Sequence, residues 1–174
     1  MALALRDAKM VSEDREHART DELTGLPNRR RFIAELELLR RRTGTLLLLD
    51  LDGFKAINDN FGHEVGDQLL KQITLRFSRV LPSDVLIARL GGDEFGVVVY
   101  GERNIGNDVA LALRATCTYP FTLSVGDVKV GVSIGSVTTE GPTTTKEVLL
   151  KRADTAMYAA KRSGSGLVNW QETS

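Results

Sequence analysis

Cys117 is the only cysteine in the sequence. No disulfide can form within the chain, so a reduced, cytoplasmic setting is expected for it or for a larger protein that contains it. Cys117 lies in an apolar helical stretch, where a buried, inert thiol is the expectation. A surplus of charge is missing too: 23 Lys and Arg balance 23 Asp and Glu. That balance argues against bulk nucleic-acid binding, which calls for a basic excess. Long hydrophobic runs are absent. The longest, residues 46–49, has the length of a strand, whereas a membrane span needs about 20 apolar residues. There is no visible secretory leader, internal repeat or low-complexity linker. These absences leave a soluble domain with no direct membrane insertion, and 174 residues are enough for one sizeable core.

What is present is concentrated around Arg89-Leu90-Gly91-Gly92-Asp93-Glu94-Phe95. Apolar residues flank it on both sides, Val85, Leu86 and Ile87 before and Phe95, Val97, Val98 and Val99 after. The pattern predicts a β-hairpin with a carboxylate pair at its tip. Carboxylates at a glycine turn can reach a hard cation such as Mg²⁺, and the glycines allow a phosphorylated ligand close to the backbone. A solvated acidic turn is the competing reading, because Gly-Gly-Asp is ordinary turn chemistry.

Residues 1–20 are polar and helix-prone, with scattered apolar side chains, and are expected to form a short helical stalk; residues 21–174 form the domain. His17 in the stalk is expected to be solvated. After an irregular stretch, Asn28 starts a helix with apolar Phe32, Ile33, Leu36, Leu38 and Leu39, closed by Arg40, Arg41 and Arg42 at its negative dipole end. Residues 45–51 form a strand apolar on both faces, hence central. Helices are predicted at 54–61, 64–80, 105–116 and 146–162, a hairpin from strands at 121–124 and 128–137, and a last short strand at 167–170. Pro82-Ser83 ends the third helix.

The core order is strand, helix, strand, strand, helix, strand. It predicts an α/β (α+β) ferredoxin-like fold, a central antiparallel sheet flanked by helices. A crossover helix makes the second strand run parallel to the first. The Gly-Gly turn should therefore lie at the edge where the first strand ends, beside Asp50. Asp50, Asp93 and Glu94 would then converge, and converging acids repel unless a cation lies between them. A catalytic Mg²⁺ pair clamping a triphosphate is the natural occupant.

Two other motifs compete for Asp50-Leu51-Asp52-Gly53. A haloacid-dehalogenase-type phosphatase places a nucleophilic Asp after such a strand, but that family usually continues with Thr where Phe54 stands, and it gives the acidic hairpin no role. An EF-hand loop fails because Phe54 and Lys55 stand where an oxygen ligand and a glycine are needed.

The chain resembles the GGDEF family of diguanylate cyclases. Gly91–Phe95 is the motif that names it. The likeness extends to Asp21-Glu22-Leu23-Thr24-Gly25-Leu26-Pro27-Asn28-Arg29-Arg30 and Asp50-Leu51-Asp52-Gly53-Phe54-Lys55-Ala56-Ile57-Asn58-Asp59, then to Phe61-Gly62-His63, Gly66-Asp67, Val132-Ser133-Ile134-Gly135 and Ala153–Lys161. The resemblance implies a palm-type nucleotide cyclase that condenses two GTP into cyclic di-GMP with release of pyrophosphate. It implies Mg²⁺ or Mn²⁺, two ions per GTP, held by Asp50, the Leu51 carbonyl, Asp93 and Glu94. Asp93 would also take the proton of the attacking 3′-hydroxyl, Lys55 would stabilise phosphate charge, Asn58 and Asp67 would bind guanine, and Lys161 would contact the terminal phosphates. His63 could line the nucleotide site. Each domain would hold one GTP, so catalysis would need a transient homodimer, and an upstream sensor or other domain is expected.

Single residues keep plainer readings. Asn58 could cap its helix, Asp67 could be a first-turn acid, Lys55 a solvated lysine, and His63 a turn histidine. The sequence also departs from the family pattern. Ser165 stands where many members have arginine. Their Arg-x-x-Asp product-inhibition motif falls on Pro82 and Val85, or one residue earlier on Leu81 and Asp84, and neither register supplies the arginine. A GTP-binding regulatory module without turnover, or an interaction scaffold, would be the alternatives to a cyclase.

Overall fold

The computed structural model describes residues 2–142 and 144–171; the side chains at 2, 3 and 12–17, His17 among them, lie outside the described ones. The chain runs α1 (Ala2–His17), α2 (Arg29–Leu39), β1 (Thr43–Asp52), α3 (Phe54–Phe61), α4 (His63–Val80), β2 (Leu86–Gly91), β3 (Glu94–Tyr100), α5 (Arg103–Thr116), β4 (Phe121–Leu123), β5 (Gly126–Val128), β6 (Gly131–Glu140), α6 (Lys146–Ser163) and β7 (Leu167–Asn169).

Five strands form one sheet in the order β2-β3-β1-β6-β7. β1 pairs antiparallel with both β3 and β6, β2 pairs antiparallel with β3, and only β7 joins in parallel, against β6. β2 thus runs in the direction of β1 with β3 between them, as the crossover argument requires. β4 and β5 make a separate two-stranded ribbon. The strand expected over 128–137 is therefore two: pairing stops after Val128 and resumes at Gly131, and the second strand continues to Glu140.

Alternation along β1 builds two cores from one strand. Leu47, Leu49 and Leu51 join Phe54, Ile57, Leu69, Ile73, Phe77 and Val109 on the α3, α4 and α5 side. Leu46 and Leu48 join Phe32, Leu36, Leu39, Leu149 and Met157 on the α2 and α6 side. Phe77 and Phe95 meet edge to face with ring centroids 5.6 Å apart, a geometry that adds to the area they bury. Full burial of each such side chain stabilises by about 1.5–3 kcal/mol. Leu38 and Leu75 are over half exposed; each lies off the buried stripe of its helix.

The helix starts follow their chemistry. The Asn28 side chain accepts from the Arg31 amide to cap α2, and Thr145 does the same for Val148 in α6. Among the described residues no helix is long and apolar enough to cross a membrane.

Candidate active site

The same alternation that divides the core aims Asp50. Following Leu46 and Leu48, it faces the α2 and α6 side. It lies at the strand end opposite Glu94 on β3 and Ser133 on β6. Asp93 sits in the adjoining turn, where its carbonyl accepts from the Leu51 amide at 3.3 Å. Asp50 and Asp93 meet at this edge, and Glu94 stands beside them in register with Asp50. Asp52, two residues on and on the same face, accepts from the Ser133 hydroxyl at 2.8 Å.

The electrostatics register the crowding. Burial first, then hydrogen bonding to and charge on Asp50, push the Asp93 carboxyl up from 3.8 to about 6. Burial also raises Glu94, opposed by Arg29 and reinforced by Asp154 and Asp50. Apart from the Asp93 carboxyl beside it, the buried Asp50 Oδ1 has no hydrogen-bond partner. A buried carboxylate oxygen in that condition, beside a second carboxyl, is a donor set suited to a hard cation. Among the described residues no three acidic, His or Cys side chains form a closed metal cage. Two carboxylates with a backbone carbonyl could hold Mg²⁺ that shares its remaining positions with phosphate oxygens.

Lys161, from the last turn of α6, donates to Asp50 Oδ2 at 2.7 Å. That hydrogen bond, joined by the charges of Asp50, Asp52 and Asp93, raises its pKa against the opposing effect of burial.

A strut that the sequence did not announce holds the turn. Gly91 and Gly92 both have positive φ, 140° and 49°, which a side chain would strain. The Arg89 guanidinium donates twice to the Gly92 carbonyl, at 3.0 and 2.9 Å, and reaches both Asp21 oxygens at 3.2 and 3.3 Å. Burial alone would raise the Asp21 carboxyl. The Thr24 hydroxyl and amide and the Arg89 charge outweigh it and hold the group below its usual range. The partners are 68 residues apart, so no local pattern reveals the pair. The family-like segment at 21–28 is the one clue, and its role as a brace becomes visible only in three dimensions.

The remaining expected residues lie around α3 and α4. Asn58 packs its amide against Gly66 so closely that an added Cβ there would overlap Asn58 Oδ1. That oxygen is buried without a partner. Asn58 is not an N-cap, a position Gly53 fills; its backbone carbonyl accepts from Gly62 at 2.8 Å. Asp67, next to Gly66, is exposed and lies past the first turn of α4, whose acid is Glu64. Lys55 is exposed on α3. His63 is the first residue of α4, not part of a turn, and is exposed. Ser165 is exposed, and its hydroxyl receives a hydrogen bond from Ser163 at 2.9 Å.

A twisted sheet of this order, with acids at a glycine hairpin and a lysine across from them, is the frame of a nucleotide cyclase palm. Residues 18–166 match the family described as diguanylate cyclase, GGDEF domain, and the chain belongs to that family. It is 40% identical over 164 residues to the response regulator PleD of Caulobacter vibrioides, covering 88% of this chain and 36% of PleD. It is 33% identical over 154 residues to the cyclic di-GMP phosphodiesterase PdeR of Escherichia coli, covering 86% of this chain and 23% of PdeR. The crystal structure of the coiled coil and GGDEF domain of DgcB from Caulobacter crescentus, in complex with c-di-GMP, superposes with a TM-score of 0.86 at 29% identity, over 97% of this chain and 94% of that one. The chain spans about a third of the length of PleD.

Proposed function

We propose that this domain condenses two GTP molecules into cyclic di-GMP, releasing pyrophosphate. The observation that carries the reading is the forced approach of Asp50 and Asp93, with Asp50 Oδ1 buried and otherwise unpartnered. Asp50, Asp93 and the Leu51 carbonyl would hold the cation, with Glu94 assisting. Mg²⁺ or Mn²⁺, two ions per GTP, would neutralise charge on the triphosphate and polarise its phosphorus.

The chain's own groups supply the rest. Asp93 accepts the proton of the attacking 3′-hydroxyl. Lys55 and Lys161 offset charge on the phosphates. The Asp67 carboxylate accepts from guanine N–H groups, and the Asn58 amide pairs with the same edge of the base, a combination adenine cannot satisfy. His63 lines this side of the site. Positioning and charge neutralisation, more than covalent chemistry, drive such a transfer. Each domain holds one GTP, so two domains meet transiently to join the two halves. Residues 1–20 act as a stalk leading into the domain at 21–174, and a sensor or other domain lies upstream in a longer, cytoplasmic protein.

A second reading, a GTP-binding regulatory module without turnover, is favoured by Ser165. Its short side chain is engaged with Ser163 and cannot reach as an arginine would. One experiment separates the two. Purified chain with GTP and Mg²⁺ should form cyclic di-GMP, and Asp93→Ala should lower the rate by about 10²–10⁴-fold or more. Saturable GTP binding with no product at high protein concentration would replace the cyclase by the regulatory module.

A further inference from the structure

We propose that Lys161 and the catalytic cation compete for the Asp50 carboxylate, so that metal entry is the event that releases the Lys161 ammonium to the triphosphate. The proposal rests on the reading of Asp50 and Asp93 as the cation site.

Lys161 Nζ lies 2.7 Å from Asp50 Oδ2. The lysine side chain is 45% exposed and the aspartate 21%. The two oxygens of Asp50 are therefore unlike: Oδ1 is turned inward with no partner but the Asp93 carboxyl, and Oδ2 is held by the ammonium. Asp50 and Asp93 would hold the cation through their carboxylate oxygens. An ammonium still bonded to Oδ2 would then stand beside a doubly charged ion on the same carboxylate, and like charges so close repel even in a partly screened site. The ammonium has to leave. Its exposed stem on the last helical turn can swing outward at small cost.

The contact also accounts for a tolerated strain. Asp50 and Asp93 repel each other, and the lysine is the counter-charge that lets the fold hold them together. Metal takes over that duty on arrival. Lys161 is then set free at the moment a nucleotide phosphate has a cation to join, so metal and nucleotide binding become positively linked. Lys161 is in this respect a positioning residue that acts through Asp50, in addition to its contact with phosphate.

The test is Mn²⁺ binding to the full chain without nucleotide, followed by electron paramagnetic resonance, in wild type, Lys161→Met, Lys161→Arg and Lys55→Met. Lys161→Met should bind Mn²⁺ about three- to tenfold more tightly, the scale of a released, partly exposed ion pair. Lys161→Arg, which keeps the pair, should match wild type. Lys55→Met removes one positive charge, on α3, that makes no ion pair among the described residues, and should change affinity less than twofold. Thermal melting adds a second readout: Lys161→Met should melt lower in EDTA and gain more from Mn²⁺ than wild type does. Equal affinities in wild type and Lys161→Met, or equal tightening in Lys55→Met, overturn the competition and leave the cyclase reading standing. Mn²⁺ binding in none of the four, with or without GTP, overturns both.

Discussion

At the scale of single residues, Asp93 ties chemistry to stability. Burial and then Asp50 raise its carboxyl from 3.8 to about 6. Between those values the folded chain keeps a proton that the unfolded chain has lost. The contribution of this group to stability is therefore greatest in acid and declines as the pH rises through about 6. In EDTA above pH 7, Asp93→Asn should be the more stable protein. The gain, discounted for partial exposure, should be about 1 kcal/mol or less, or no more than roughly 2–4 °C in melting temperature. At pH 4 the difference should close. Melting curves at the two pH values decide the matter, and a difference that does not change with pH would place the raised proton affinity elsewhere. Gly66 makes a second case. A methyl group there would displace Asn58 Oδ1, so Gly66→Ala should raise the KM for GTP by about tenfold or more with a smaller effect on kcat. Asp67→Ala should weaken GTP and narrow its advantage over ATP, which could reach about 10⁴-fold in a fully polar site. Unchanged GTP affinity in Asp67→Ala would remove that residue from the guanine site.

Among the elements, the β2–β3 turn depends on a brace from outside the hairpin. Arg89→Ala would strip the Gly92 carbonyl of its guanidinium donor and leave the Asp21 carboxylate with Thr24 alone. It should cost about 1–3 kcal/mol, read as a lower denaturation midpoint, and should slow turnover more than it weakens GTP binding. Equal loss in both kinetic parameters would mean that the brace serves the whole site and not the hairpin. Much of the element pattern was legible beforehand. The apolar run at 46–49 marked the central strand, Asn28 marked a helix start, and the strand–helix–strand–strand order placed Asp50 beside Asp93. What escaped has a physical reason. Lys129 and Val130 continue an apolar-alternating pattern across a break that only partner strands define. Leu38 and Leu75 are apolar but face solvent, which no single-helix pattern excludes. Arg89 with Asp21 and Lys161 with Asp50 join residues 68 and 111 positions apart, a separation that local spacing cannot encode. The role of Asp52 was hidden because its partner, Ser133, comes from a strand 81 residues later.

For the whole molecule, the proposed reading, in which two domains complete one site, makes activity depend on concentration. The apolar side chains described on α1, namely Leu5, Met10 and Val11, are all exposed and too few for a tight coiled coil. Specific activity should therefore rise with protein concentration, and sedimentation should find mostly monomer; a nanomolar dimer or dilution-independent activity would contradict this. Product inhibition should be weak. Leu81 and Pro82 offer no charged donor. Arg31 borders the cavity that Asp84 lines, but Glu35 lines it too and offsets the guanidinium. Potent noncompetitive inhibition by cyclic di-GMP that disappears in Arg31→Ala would assign that cavity to the product instead.

β1 is hydrogen-bonded on both sides, and at Asp50 it is still paired with Glu94 on one neighbour and Ser133 on the other. Its amides should be among the slowest in the protein to exchange with deuterium. Asp93, by contrast, follows two left-handed glycines, with one bond of 3.3 Å from the Leu51 amide to its carbonyl and the Arg89 guanidinium bracing the preceding Gly92. One jaw of the site is thus anchored in the stiffest part of the fold and the other is sprung. Any signal that opens or closes the distance between the two carboxyls has the hairpin, and not the central strand, as its lever.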